Sequence, residues 1–178
     1  MFVPSTVAKR TLEHIGRLGR SQGRRLFNST AATNELQKIS VVGLGSMGHG
    51  VAQLCATAGY DVVAVDISKD VMDHAKGQIE GSLLKLAGKK AAKEGTDPAA
   101  EEDAARATLA RIEMTTDVEA VADSDLVIEA IIENLPIKKK FFEQLGGIVQ
   151  PHTILASNTS SFPITEMAEA SGIPERVC

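Results

Sequence analysis

Only two cysteines occur in 178 residues, and Cys55 and Cys178 are too few and too scattered for a disulfide framework or a cysteine metal site, so no metal is expected. Tryptophan is absent, and no apolar run is long enough to cross a bilayer. With 43% apolar and 24% charged residues the composition is globular, and the length suits one domain with room for an appendage. Acid is scarce at one end only. Residues 1–38 hold seven Lys/Arg against two acids, and the remainder holds twelve against twenty-one. A body this acidic argues against non-specific nucleic-acid binding.

The basic end also lacks the continuous apolar core of a secretory signal. What it has is Arg10, Arg17, Arg20, Arg24 and Arg25 against Glu13 alone up to residue 30, with Leu12, Ile15 and Leu18 able to line one face of a helix. Amphipathic, Arg-rich and acid-poor is the pattern of an organellar transit peptide; a solvated, disordered arm is the alternative. Arg25-Leu26-Phe27 followed by Asn28-Ser29 resembles an arginine-directed mitochondrial processing site. Residues 1–30 are therefore expected to be a mitochondrial transit peptide addressing the matrix, 31–37 a linker, and the folded domain to begin at Lys38.

The rest of the chain is organised around Ile39-Ser40-Val41-Val42-Gly43-Leu44-Gly45-Ser46-Met47-Gly48. The first four residues read as a buried parallel strand. The G-x-G-x-x-G spacing follows at once, with Gly43 for the tight turn, Gly45 for approach of a pyrophosphate, and Gly48 for close packing of the next helix. That helix, residues 47–58, would turn its unpaired N-terminal N–H groups toward a diphosphate. A second strand over 60–66 ends in Asp66, 18 residues past Gly48, where a carboxylate can accept from ribose hydroxyls. The same carboxylate would repel a 2′-phosphate, which predicts NAD rather than NADP. Read alone, Asp66 could be an ordinary solvated strand end.

Beyond Asp66, Ser68 can cap a helix from Lys69, with Val71, Met72, Ala75, Ile79, Leu83 and Leu86 on its apolar face and Lys85, Lys89, Lys90 and Lys93 at its end. Gly95-Thr96-Asp97-Pro98 is a break, and 99–110 a second helix. The excursion is long for a minimal dinucleotide fold; its lysines either carry substrate contacts or form a solvated face. Strands are then predicted at 112–114, 125–130 and 152–156, a short helix at 118–122, and a helix from Pro136 to about Leu145. The last strand empties into Ser157-Asn158-Thr159-Ser160-Ser161, a cluster that is either a self-satisfied turn or a ligand site beyond the carboxyl ends of the strands. Together these elements predict an α/β, Rossmann-type, doubly wound parallel sheet with a long helical excursion after the second strand.

Over residues 38–178 the chain resembles the NAD-binding domain of the L-3-hydroxyacyl-CoA dehydrogenases of fatty-acid β-oxidation, in their mitochondrial, short-chain form. The resemblance rests on the Ser46-Met47-Gly48 ending of the turn and on Asp66. It rests further on Glu129-Ala130-Ile131-Ile132-Glu133-Asn134-Leu135 with Lys138, and on Ala156-Ser157-Asn158-Thr159-Ser160-Ser161. It implies that Gly43, Leu44, Gly45, Ser46, Met47, Gly48 and Asp66 hold the ADP half of NAD, and that Glu133 and Lys138 lie beside the nicotinamide half. It implies that Ser160 hydrogen-bonds the reacting oxygen, and that Ser82 and Lys89 contact coenzyme A. An acyl-CoA thioester is then the substrate partner, and a homodimer is expected only for the full-length enzyme. His49 and His152 match no catalytic position.

In that family the segment resembling Pro174-Glu175-Arg176-Val177 runs into a Gly-x-His-Phe-Phe-Asn-Pro motif, whose histidine is the general base and would fall three residues beyond Cys178. A helical C-terminal domain follows it. The 178-residue chain holds neither, and is expected to be inactive by itself. The alternatives are a non-catalytic stand-alone dinucleotide-binding protein, and a 3-hydroxybutyryl-CoA or 3-hydroxyacid dehydrogenase relative.

Overall fold

Parallel strands four or five residues long build the sheet of the computed structural model, which describes residues 36–178. The expected leader, and the expected linker up to residue 35, lie outside the described residues. The strands are β1 (Lys38–Val42), β2 (Asp61–Val65), β3 (Ile112–Thr115), β4 (Leu126–Glu129) and β5 (Ile154–Ser157), in the order β3-β2-β1-β4-β5. The helices are α1 (Gly48–Thr57), α2 (Lys69–Glu94), α3 (Pro98–Leu109), α4 (Leu135–Ile148) and α5 (Ile164–Ser171), with single 3₁₀ turns at Val118–Val121 and Pro174–Arg176. This is the doubly wound Rossmann-type sheet that the strand and helix pattern predicts. Val177 makes an isolated parallel bridge with Leu155, along the outer edge of β5.

The central strands are buried on both faces, which is why β1 and β2 read as apolar runs rather than alternating ones. Period-two geometry then divides the core. Ile39, Val41, Val62 and Ala64 face Ala52 and Ala56 of α1 and Met72 and Ala75 of α2. Val42, Val63, Val65, Val127 and Leu155 face Phe142 and Leu145 of α4 and Met167 of α5. From β1 the chain winds outward through β2 and β3, then crosses back to β4 and β5. The carboxyl ends of β1 and β4 are therefore the switch point, where such sheets open a ligand crevice.

The 26 residues of α2 give it a length of about 39 Å at the usual helical rise. Its first turns belong to the sheet core, and farther along Ile79, Leu83 and Ala87 pack on Ala105 of α3. Gly95, in the left-handed conformation at φ 68°, closes the helix, and Asp97 caps α3 by accepting from the Ala99 N–H at 3.0 Å with Pro98 in the first turn.

Two expected boundaries move. Helix α4 runs through Gly146-Gly147 to Ile148 instead of stopping near Leu145. A Cβ on Gly146 would lie 1.8 Å from the Ser171 carbonyl oxygen, so this glycine permits close approach of α5 and does not end the helix. Strand β5 starts at Ile154, not His152, because the Thr153 N–H closes a turn on Gln150 O (3.1 Å) and its hydroxyl donates to Ser124 O (2.7 Å).

At the amino end of the sheet, Asp125 fixes the start of β1 by accepting from the N–H groups of Gln37 (2.7 Å) and Lys38 (2.9 Å). The Lys38 N–H, then that of Gln37, holds its carboxyl below the usual carboxylate range. A depressed folded-state value means that the stabilisation is complete above the unfolded pKa, about 3.9, and is lost as pH falls through the folded one. Asp125→Ala is expected to cost about 1–2 kcal/mol at neutral pH, for two hydrogen bonds to a partly exposed charge. It should also flatten the loss of stability below about pH 4. Urea titrations of both proteins across that range check this; equal acid sensitivity would assign the acid response to other carboxylates.

Candidate functional site

At the switch point, the Gly43 N–H donates to Val65 O (2.8 Å) and the chain turns with φ 91° at Gly43. This glycine has a second reason beyond its turn: a Cβ on it would lie 2.5 Å from the Ala130 carbonyl oxygen, so the turn is pressed against the end of β4. A Cβ on Gly48 would lie 1.7 Å from the Gly43 carbonyl oxygen, which holds the first turn of α1 directly on the loop. Gly45 is the opposite case, exposed and with nothing within 4 Å of a built Cβ. Helix α1 has no side-chain cap at Met47 and no acid in its first turn. Its leading N–H groups and positive dipole end are thus left for an anion. Ser46 and Met47 are exposed on the same turn. Leu44 is buried, and its N–H donates to Asp66 Oδ2 at 2.8 Å.

Asp66 lies at the end of β2 as expected, and its carboxylate ties two loops together: Oδ2 takes the Leu44 N–H and Oδ1 the Ser68 N–H (3.0 Å). An ionised carboxylate has about four lone-pair sites, so acceptor capacity remains for two hydroxyls. Open backbone at Gly45, an uncapped helix end and a half-buried acid on one rim fit the diphosphate and ribose of a dinucleotide.

Across the crevice the loops after β4 and β5 are joined by a network that crosses between them. Glu129 and Lys138 are the only buried charged side chains among the described residues. Lys138 Nζ lies 2.6 Å from Glu129 Oε1 and 3.2 Å from Glu133 Oε2. Glu129 Oε1 also accepts from the Ile131 N–H (2.8 Å), and Oε2 from the Ser157 hydroxyl (2.6 Å). The Thr159 hydroxyl donates to Glu133. That bond, followed by the one from Lys138, holds the Glu133 carboxyl below the usual range although the side chain is 43% exposed. Ser160 follows on the same loop and is exposed.

The structure thus brings Gly43, Leu44, Gly45, Ser46, Met47, Gly48 and Asp66 to one rim, and Glu133 and Ser160 to the loops beyond β4 and β5, with Lys138 reaching Glu133 from the first turn of α4. The Lys138 ammonium is held between two carboxylates and is 1% exposed. Ser82 and Lys89 lie on α2, away from the glycine turn in sequence. Ser82 accepts from Gln53 Nε2 at 3.0 Å, which ties α2 to α1, whereas Lys89 is exposed and makes no ion pair among the described residues. Its neighbour Lys90 pairs with Glu101. His49 Nδ1 lies 2.7 Å from Gly45 O within the turn, and His152 lies 3.3 Å from Asp125 at the opposite end of the sheet. A cavity of about 440 Å³ lined by Lys76, Arg106 and Met114 among others opens at the β3 edge, apart from the crevice loops. Among the described residues no group of His, Cys, Asp or Glu could hold a metal, and no helix is long and apolar enough to cross a membrane.

The sequence alone predicts no individual role for Glu129, and Ser157 and Thr159 are expected only as members of a polar cluster that is a turn or a ligand site. The available signal was an acid inside the apolar run Leu126-Val127-Ile128-Glu129-Ala130-Ile131-Ile132, because a carboxylate in a central parallel strand needs a buried partner.

Residues 38–178 match the family described as 3-hydroxyacyl-CoA dehydrogenase, NAD binding domain. The chain is similar to a probable 3-hydroxybutyryl-CoA dehydrogenase of Deinococcus radiodurans, with 50% identity over 137 residues, 77% of this chain and 46% of that one. It is similar to the mitochondrial hydroxyacyl-coenzyme A dehydrogenase of Sus scrofa, with 42% identity over 159 residues, 86% of this chain and 50% of that one. The crystal structure of 3-hydroxybutyryl-CoA dehydrogenase from Escherichia coli superposes with a TM-score of 0.70 at 35% identity, covering 80% of this chain and 28% of that one. The chain spans about half the length of the curated relatives it matches. With the glycine turn, Asp66 and the doubly wound sheet in place, the chain belongs to the 3-hydroxyacyl-CoA dehydrogenase family, whose NAD-binding domain it carries.

Proposed function

We propose that the chain is the cofactor half of an enzyme that oxidises L-3-hydroxyacyl-CoA to 3-oxoacyl-CoA with NAD, in fatty-acid β-oxidation in the mitochondrial matrix. The observation that carries this is the pairing of the two rims: a dinucleotide turn with Asp66 on one side, and Glu133 joined to the Ser160 loop on the other. The Arg-rich residues 1–30 as a transit peptide, and mitochondrial relatives such as those of Sus scrofa and Homo sapiens, support the location. Relatives in bacteria share the domain, so the location rests on the leader.

The N–H groups of the turn and of α1 hold the diphosphate, and Asp66 accepts from the adenosine ribose hydroxyls. Ile67, 98% exposed beside it, offers an apolar face to the adenine. Glu133 and Lys138 border the nicotinamide half. NAD held by these residues would supply the hydride-accepting chemistry for oxidation at C3 of the substrate. Ser160 donates a hydrogen bond to the reacting oxygen, and Ser82 and Lys89 contact the coenzyme A moiety. In the full-length enzyme of this reading, the hydroxyl proton would pass to a histidine of a second domain, which would also make the homodimer.

Calorimetric titration tests this reading. The chain should bind NADH in preference to NADPH, and its NADH complex should bind acetoacetyl-CoA. Asp66→Ala should narrow the NADH/NADPH affinity ratio by about tenfold or more, the equivalent of one hydrogen bond to a charged group. Lys89→Ala should weaken acetoacetyl-CoA alone. Equal affinity for the two cofactors, or no affinity for the thioester, would sink the proposal.

A further inference from the structure

The buried charges behind the crevice are not explained by stability. Desolvating an ion costs several kcal/mol even after relaxation, and well-packed apolar residues of similar volume commonly do as well or better in such positions. Yet Glu129 is 0% exposed and Lys138 1%. Their polar atoms are satisfied, since no buried side-chain nitrogen or oxygen among the described residues lacks a partner.

The arrangement fixes geometry. Glu129 stands opposite Val42 in the β1–β4 register and opposite Ser157 in the β4–β5 register, at the floor of the crevice. From there a ring of hydrogen bonds closes. Ser157 donates to Glu129, Lys138 bridges Glu129 and Glu133, and Thr159 donates to Glu133, which returns the ring to the loop it left. The backbone reinforces it: the Ile131 N–H donates to Glu129 Oε1 and the Asn158 N–H to the Glu129 carbonyl oxygen, both at 2.8 Å. Each loop is thereby held by the other, and Ser160 rides on the segment so held.

The geometry points to Glu129 as a positioning residue for the nicotinamide half of the cofactor: through Lys138 and Ser157 it sets Glu133 and the Ser160 loop in place before the cofactor arrives. This rests on the proposal that Glu133 and Ser160 border the nicotinamide. Preorganised donors and acceptors lose less freedom on binding, so loosening the ring should weaken what the loops contact and nothing else. The glycine turn and Asp66 share no hydrogen bond with the ring and meet it only where Gly43 packs on the Ala130–Ile131 backbone. The nicotinamide half of the cofactor should therefore respond far more than the ADP half.

ADP-ribose, which keeps the ADP half and lacks nicotinamide, is the discriminating probe. In the full chain, Glu129→Gln should weaken NADH by about tenfold, as expected for a charged hydrogen bond lost from the network. Its affinity for ADP-ribose should stay within about twofold of the unmutated chain, as for independent sites. Ser157→Ala removes one link without leaving a charge unpaired, and should weaken NADH by about threefold. A parallel fall in ADP-ribose affinity would make Glu129 a residue of the fold and overturn the inference. Full NADH affinity in folded Glu129→Gln would also overturn it; if that variant does not fold, full NADH affinity in Ser157→Ala does so. An unmutated chain that binds ADP-ribose as tightly as NADH would overturn it while leaving the NAD site intact. One that binds neither would remove the NAD site itself.

Discussion

Gly48→Ala is expected to weaken NADH binding by about a hundredfold or more, from loss of two charge-assisted hydrogen bonds. The added methyl would lie 1.7 Å from the Gly43 carbonyl oxygen and 2.8 Å from its carbon, an overlap with backbone that no rotamer relieves. Gly43 cannot retreat: it is pressed against the Ala130 carbonyl on the side of β4 and bonded to Val65 O on the side of β2. Helix α1 must give way instead, and its N–H groups leave the turn that would shape the proposed diphosphate site. Overpacking of this kind costs about 1–3 kcal/mol, so a lowered melting temperature should accompany the loss of affinity. Gly45→Ala is the control. Its Cβ meets no protein atom within 4 Å, so the melting temperature should hold while NADH binding weakens through the ligand alone. NADH fluorescence titrations and thermal melts of both variants check the contrast. Unaltered binding by Gly48→Ala would mean that α1 can slide without moving the site.

The difference between those two glycines marks how far the sequence can be read. The spacing Gly43-x-Gly45-x-x-Gly48 followed by Asp66 predicts the turn, the helix and the acid, because these depend on contacts close along the chain. Ser68, Asp97 and Gly95 likewise define the ends of α2 and α3 by local capping. What was not legible came from contacts distant in sequence. Helix α4 was expected to end near Leu145, but it runs on through Gly146, which packs against Ser171 on another helix. Thr153 looked like strand, but its hydroxyl is drawn to Ser124. The resemblance puts Lys138 beside the nicotinamide half, and the fold adds what no local pattern contains, that its nitrogen lies between Glu129 and Glu133. The wrap of Glu129 onto Ser157 requires the β4–β5 register, which no local pattern contains.

The 178-residue chain is expected to bind NADH and still to show no useful oxidation of 3-hydroxybutyryl-CoA. A proton must leave the substrate hydroxyl as the hydride leaves C3, and no described side chain at the crevice is suited to take it. A serine hydroxyl such as that of Ser160 is too weak a base at neutral pH. The Glu133 carboxyl is held below the usual range by Thr159 and Lys138, which makes it a poorer proton acceptor than a free glutamate. His49 is bonded to the turn at Gly45 O, and His152 is paired with Asp125 at the far end of the sheet. General-base catalysis supplies about 10²–10⁴-fold, and substrate orientation by a second domain would add to that deficit. Binding at the proposed site needs neither, since residues 43–66 would supply the diphosphate and ribose contacts. NADH formation should be followed by absorbance for this chain and for a version continued through a histidine-bearing segment and a helical domain taken from a relative. Turnover by the longer protein alone is the expected result. Comparable turnover by both would place the base inside this chain, and Glu133→Gln would then tell whether Glu133 is that base.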